Sequence, residues 1–180
     1  RDGGWVLALE RDFAVTDPGA WVPRRIASVI ADPGIRFNDG GCDVAGGFLC
    51  GTMAYDKAPG AAELFRLAPD GEVARVLGDV TISNGFCLDP SGTLAYYVDT
   101  PTARIDVFDV ALDGSTLSGR RPFVAIEPGA GFPDGLTVDA EGGIWSVQNG
   151  AARVVRYAPD GEVTHEVEVP LPQPTSCIFG

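Results

Sequence analysis

The hexapeptide Ala-Pro-Asp-Gly-Glu-Val occurs twice, at residues 68–73 and 158–163, and this recurrence constrains the fold more than any other feature. Each copy follows a short apolar run, Leu64–Leu67 or Val154–Tyr157, and its Pro-Asp-Gly reads as a tight hairpin turn. A second pattern joins an Asp, a Gly-containing turn and an apolar strand, from Asp43 to Leu49, Asp89 to Leu94 and Asp139 to Ile144. Positions 43, 89 and 139 differ by 46 and 50, and positions 68 and 158 by 90, twice about 45. Repeats of about 40–50 residues built from four short strands are the signature of propeller blades. The apolar runs agree: Trp5–Glu10, Phe48–Met53, Leu94–Asp99, Arg104–Val110, Ile144–Gln148 and Val163–Val169 have strand lengths. With 24 Gly and 14 Pro the chain has little room for long helices, and none shows a sustained 3.6-residue period. The expected fold is all-β, a β-propeller of four-stranded antiparallel blades, in a single domain over residues 1–180 without a linker.

Counting strands outward from the propeller axis, the first blade piece starts at its second strand, Trp5–Glu10. Three whole blades follow, with innermost strands beginning near Gly41, Phe86 and Leu136, and Cys177–Phe179 reads as the innermost strand of another. Such a chain is either part of a larger propeller or closes as a four-bladed ring, because an open arc leaves sheet edges unprotected.

Composition narrows the function. Thirteen Lys and Arg against 25 Asp and Glu give a net charge of −12, which argues against nucleic acid and anionic membranes as partners. Lys57 is the only lysine, and the single histidine, His165, lies in an outer-strand pattern away from any nucleophile, which disfavours Ser–His–Asp and Cys–His chemistry. Cys42, Cys50, Cys87 and Cys177 form no CxxC pair and read as buried free thiols of a reducing, cytoplasmic setting; a signal peptide upstream is compatible with the same sequence. Trp5 and Trp145 fit blade-core packing, and Arg120-Arg121 a surface pair.

Polar tripeptides precede the expected innermost strands: Asn38-Asp39-Gly40, Ser83-Asn84-Gly85, Pro133-Asp134-Gly135 and Pro174-Thr175-Ser176. Taken singly, each is an ordinary turn sequence. In register across blades they place Asn38, Asn84, Asp134 and Ser176 as a ring around one mouth of the central channel. Such oxygens suit a hard divalent cation, Ca²⁺ or Mg²⁺ first, with Mn²⁺ or Zn²⁺ less typical. A cation held by Asn84 and Asp134 would polarise a carbonyl and acidify water, which suits hydrolysis of a small ester or lactone. Arg36 adds a donor at the rim.

At these residues the sequence resembles the gluconolactonase/regucalcin (senescence marker protein) family, which includes luciferin-regenerating enzymes. The matching motifs are Arg36-Phe37-Asn38-Asp39-Gly40 with Gly51-Thr52-Met53, Ile82-Ser83-Asn84-Gly85, Tyr96-Tyr97-Val98-Asp99, Pro133-Asp134-Gly135-Leu136 with Asp139-Ala140-Glu141-Gly142, and Pro174-Thr175-Ser176-Cys177 with Phe179-Gly180. The resemblance implies a six-bladed propeller, of which about four blades are present, one divalent metal in the channel, and hydrolysis of sugar lactones. It implies Asn84 and Asp134 as metal ligands, Asp134 also as general base, and Arg36 and Asn38 as substrate-binding residues. The family's third ligand, a Glu in a Glu-Gly-Pro context of its first blade, has no counterpart here, as expected if the chain is part of a longer lactonase.

The leading functional expectation is therefore a metal-dependent hydrolase that opens a sugar lactone through attack of a metal-activated water. A non-catalytic propeller that binds Ca²⁺ or a partner protein, and a hydrolase acting on a phosphotriester or another strained ester, are the alternatives.

Overall fold

The computed structural model describes residues 3–179, so Gly180 of the last motif lies outside the described residues. Four antiparallel sheets follow one another along the chain. The first has three strands, β1 (Val6–Ala8), β2 (Asp12–Val15) and β3 (Arg24–Ser28). The second comprises β4 (Ile35–Cys42), β5 (Phe48–Ala54), β6 (Ala62–Leu67) and β7 (Val73–Val80). The third comprises β8 (Ser83–Leu88), β9 (Leu94–Asp99), β10 (Arg104–Val110) and β11 (Leu117–Ala125). The fourth comprises β12 (Phe132–Val138), β13 (Ile144–Asn149), β14 (Arg153–Tyr157) and β15 (Val163–Glu168). Strands pair in chain order within each sheet, as in propeller blades. A 3₁₀ turn, Thr100–Thr102, is the one helical piece among the described residues.

The repeated sequence patterns have repeated structural causes. In both hexapeptides the Gly N–H returns to the Ala carbonyl, Gly71 to Ala68 at 2.9 Å and Gly161 to Ala158 at 2.8 Å, closing the hairpin. The recurring Asp ties the turn between the first two strands of its blade: its carboxylate accepts from Gly47 N (Asp43, 2.7 Å), Thr93 N (Asp89, 2.8 Å) and Gly143 N (Asp139, 2.8 Å).

Period-two alternation divides each inner blade between two cores. Cys50 joins Phe13, Ile30, Phe37 and Leu67 between the first and second sheets. Its neighbour Leu49 faces the other way, joining Leu64, Phe86, Tyr97 and Phe108 between the second and third. Tyr96 and Val98 turn from Tyr97 toward Ile105, Leu136, Ile144 and Val155, between the third and fourth.

Several expectations are corrected. The innermost strands begin earlier, at Ile35, Ser83 and Phe132, so the polar tripeptides lie inside them rather than before them. They escape a turn conformation because each sits at an interruption of the ladder to the second strand, between Phe37 and Gly40, Ser83 and Phe86, and Pro133 and Leu136. Cys177–Phe179 forms no strand; the preceding Thr175 instead accepts a hydrogen bond from Gly135 N at 2.9 Å. Trp5 is exposed, just before β1, and Cys42 is exposed at the end of β4 where the strand leaves the core. Arg120 is more than a surface residue, since its guanidinium pairs at 2.7 Å with the fully buried Asp106 and lies over the rings of Tyr97 and Phe108.

Backbones approach closely where the blades meet at the axis. A Cβ at Gly85 would stand 2.5 Å from Leu136 N and 2.7 Å from Asp134 O, and one at Gly135 would stand 2.7 Å from Thr175 O. Only glycine permits this contact.

Candidate active site

The bulged residues of the innermost strands surround a cavity of about 980 Å³ at one mouth of the channel. Arg36, Asn38, Asn84 and Asp134 all line it, and so does Ser176. The four residues singled out from the sequence are thus brought together, from three different blades.

The bulge explains how. In a regular ladder Asn84 and Asp134 would be locked in pairs with β9 and β13; the interruption frees two consecutive residues and re-aims their side chains. A chain of hydrogen bonds then fixes them. Arg36 Nη1 donates to Asn38 Oδ1 at 2.9 Å and to the Phe37 carbonyl at 2.8 Å, while Nη2 reaches the Met53 sulfur at 3.0 Å. Asn38 Nδ2 donates to Asn84 Oδ1 at 2.9 Å and to the Ser83 carbonyl at 2.8 Å, bridging the second and third blades. Asn84 Nδ2 donates to Thr100 Oγ1 at 2.6 Å, and that hydroxyl donates to the Pro133 carbonyl at 2.8 Å, bridging the third and fourth. Asn149 Nδ2 donates to Asp134 Oδ2 at 3.3 Å and to the Pro174 carbonyl at 3.2 Å. Both amide hydrogens of Asn38 are occupied, so toward a ligand it acts as an acceptor.

The floor of the cavity is electrostatically tense. Burial raises the pKa of Asp134 to about 6, with the Asp39 carboxylate adding to the rise and hydrogen bonds from Asn149 and Gly135 opposing it. Asp39 is likewise raised, by burial, against a hydrogen bond from Gly40 N. Two neighbouring carboxylates in a partly desolvated cavity call for positive charge. The lining holds amide, hydroxyl and carboxylate oxygens and neither thiol nor imidazole, a donor set that fits a hard divalent cation. Among the described residues no group of three or more His, Cys, Asp or Glu converges as a metal cluster.

The SMP-30/Gluconolactonase/LRE-like region matches residues 1–180, the whole sequence. The chain belongs to this family. Regucalcin of Danio rerio is 38% identical over 184 residues, covering 99% of the chain and 61% of the relative. Among solved structures, a regucalcin described as a calcium-binding protein of Agrobacterium tumefaciens superposes with a TM-score of 0.92 at 31% identity, over 98% of the chain and 60% of that structure. A luciferin-regenerating enzyme superposes at 0.90 and 29% identity, over 100% and 63%. The chain thus spans about three fifths of the length of these SMP-30/gluconolactonase relatives.

Asp39, Thr100 and Asn149 line the cavity of this SMP-30/gluconolactonase chain and were missed as site residues from sequence. Asp39 stands inside a tripeptide already noted, with its burial unreadable from the pattern. Asn149 ends β13, opposite Phe132, and Thr100 follows the last residue of β9, whose Asp99 stands opposite Ser83. For Thr100 and Asn149 the signal was a polar residue at the end of the second strand, in the third and fourth blades. No helix among the described residues is long and apolar enough to cross a membrane.

Proposed function

We propose that the protein carrying this chain opens sugar lactones by adding water to the ring carbonyl, with Asp134 as general base. The observation that carries this reading is Asp134 itself: a half-buried carboxylate, steadied on Oδ2 by Asn149, in one cavity with Asn84, Asn38 and Arg36. Its Oδ1 takes the proton of the attacking water as the water oxygen bonds to the carbonyl carbon. Collapse of the tetrahedral adduct breaks the ring C–O bond, and Asp134 returns the proton to the departing alkoxide. Arg36 keeps N–H groups beyond those donated to Phe37, Asn38 and Met53, and with the acceptor Asn38 it binds lactone hydroxyls. Asn84 and Asp134 would hold a divalent cation, Ca²⁺ by preference, which would supply electrostatic stabilisation of the charge developing on the carbonyl oxygen.

Replacing Asp134 by Asn tests the assignment. Hydrolysis of glucono-δ-lactone by the protein is expected to fall on the order of 100-fold or more, with the circular dichroism spectrum retained. Undiminished turnover removes Asp134 from the role. A second reading, a calcium-binding propeller without turnover, is favoured by the oxygen donor set and by the calcium-binding description of the Agrobacterium relative. Melting that is sensitive to chelator, in a protein that hydrolyses no lactone, selects it.

A further inference from the structure

The cavity lining carries both signs of charge. Asp39 and Asp134 are its acidic side chains, and its only cationic side chains are Arg36 and Lys57. Lys57 is the sole lysine of a chain with net charge −12, and among the described residues it has no ion pair or side-chain hydrogen bond. Its backbone is left-handed, with φ of 59°, a conformation that glycine adopts at lower cost, yet the position carries a long cationic side chain.

The turn that bears Lys57 is fastened to three blades. Lys57 N closes on the Ala54 carbonyl at 3.0 Å, and the Asp56 carboxylate accepts from Ala58 N at 3.0 Å. Tyr55 N reaches Gly34 O at 2.9 Å, and Tyr55 Oη donates to Glu10 of the first sheet at 2.6 Å. Gly60 N donates to Thr81 Oγ1, just before the third sheet, at 3.1 Å. The Tyr55 ring in turn lies 5.9 Å from the Arg36 guanidinium carbon. One anchored turn therefore carries Lys57 and packs against Arg36 at the cavity rim, so the backbone under both cations need not be ordered by a ligand.

We propose that Lys57 and Arg36 form an anion subsite at the cavity mouth, and that the preferred substrate is a lactone bearing a free carboxylate remote from its ring carbonyl. This rests on the lactonase reading and specifies its substrate class. An acidic protein repels anions at long range, so two cations lining one cavity amount to a selection for a ligand of negative charge. The carboxylate would pair with Lys57 and with the spare Arg36 N–H groups, leaving the neutral ring carbonyl to face Asp134.

The test compares glucaro-1,4-lactone, which carries a carboxylate, with neutral glucono-δ-lactone, in the wild-type protein and in Lys57→Met and Lys57→Arg. The wild type is expected to favour the acidic lactone in kcat/KM. Lys57→Met should lower the ratio of acidic to neutral kcat/KM roughly fivefold, the scale of one solvent-exposed charge pair, through KM, and Lys57→Arg should restore it. A wild-type preference for the neutral lactone, or a ratio that Lys57→Met leaves unchanged, overturns the subsite. Binding of open-chain glucarate, followed by calorimetry, separates this from failure of the lactonase reading. If neither lactone is turned over, glucarate binding weakened by Lys57→Met still supports the subsite, whereas absent or unaltered binding overturns it.

Discussion

Asp139 carries a concentration of interactions unusual for one carboxylate. Its Oδ2 accepts from Arg156 Nε at 2.6 Å and Trp145 Nε1 at 2.9 Å, and its Oδ1 from the backbone of Glu141 and Gly143. The Arg156 hydrogen bond, foremost, holds its carboxyl far below the ordinary carboxylate range. A carboxyl whose pKa is depressed on folding stabilises the native state above its unfolded value of about 3.9, and that contribution fades as pH falls toward the folded value. Asp139→Asn should therefore lower the melting temperature at pH 7 by roughly 3–6 °C. The gap between variant and wild type should close progressively below pH 4 in scanning calorimetry. A gap independent of pH would mean that Asp139 acts through shape rather than charge. The third blade departs from this arrangement in a consistent way. There Val107, opposite Tyr96, stands where Arg156 stands opposite Trp145, so its Asp89 relies on Ser91 and backbone donors instead.

At the scale of the element, the innermost strands decide what the molecule does. Their bulges present Asn38, Asn84 and Asp134 to the channel, and the glycine after Asn84 lets β8 and β12 touch through backbone. Because two of the three atoms nearest a Cβ at Gly85, Leu136 N and Asp134 O, belong to backbone, relaxation must separate two blades. Gly85→Ala is expected to cost about 2 kcal/mol or more in urea-induced unfolding. A loss below about 0.5 kcal/mol would show that the blades adjust independently at the axis. The sequence made the four-stranded make-up of the whole blades, their order and the four principal cavity residues legible, because period-two alternation and the Asp-turn spacing are local signals repeated every blade. β9 and β10 follow their apolar runs residue for residue. The bulges were not legible, since Asn-Gly and Asp-Gly satisfy a turn and a ladder interruption equally well, and only pairing with the second strand separates the two. Asp39, Thr100 and Asn149 were hidden for a related reason: their place in the cavity comes from contacts between blades, which no spacing within one blade encodes.

Across the whole molecule, stability should follow the number of faces that each sheet buries. The second and third sheets contribute to two inter-blade cores each, whereas the first and fourth contribute to one. Tyr96 and Tyr97, adjacent on β9, anchor opposite cores, while every residue of β15 is exposed and β3 is mostly so. Blades of a propeller meet mainly their sequence neighbours, so local opening need not cross the molecule. In the 180-residue chain, native-state hydrogen exchange should then be slowest for paired amides of β5, β9 and β10, and faster by roughly two orders of magnitude or more for those of β3 and β15. Phe13→Ala, which removes a fully buried ring from the core shared by the first two sheets, should speed exchange in β1–β5 and leave β13 and β14 little changed. Equal acceleration in β14 would mean that the four sheets open as one cooperative unit. The hydrogen-bond chain from Arg36 through Asn38, Asn84 and Thr100 to Pro133 would then serve stability as well as the shape of the cavity, since it is the polar link that joins the second, third and fourth blades at the axis.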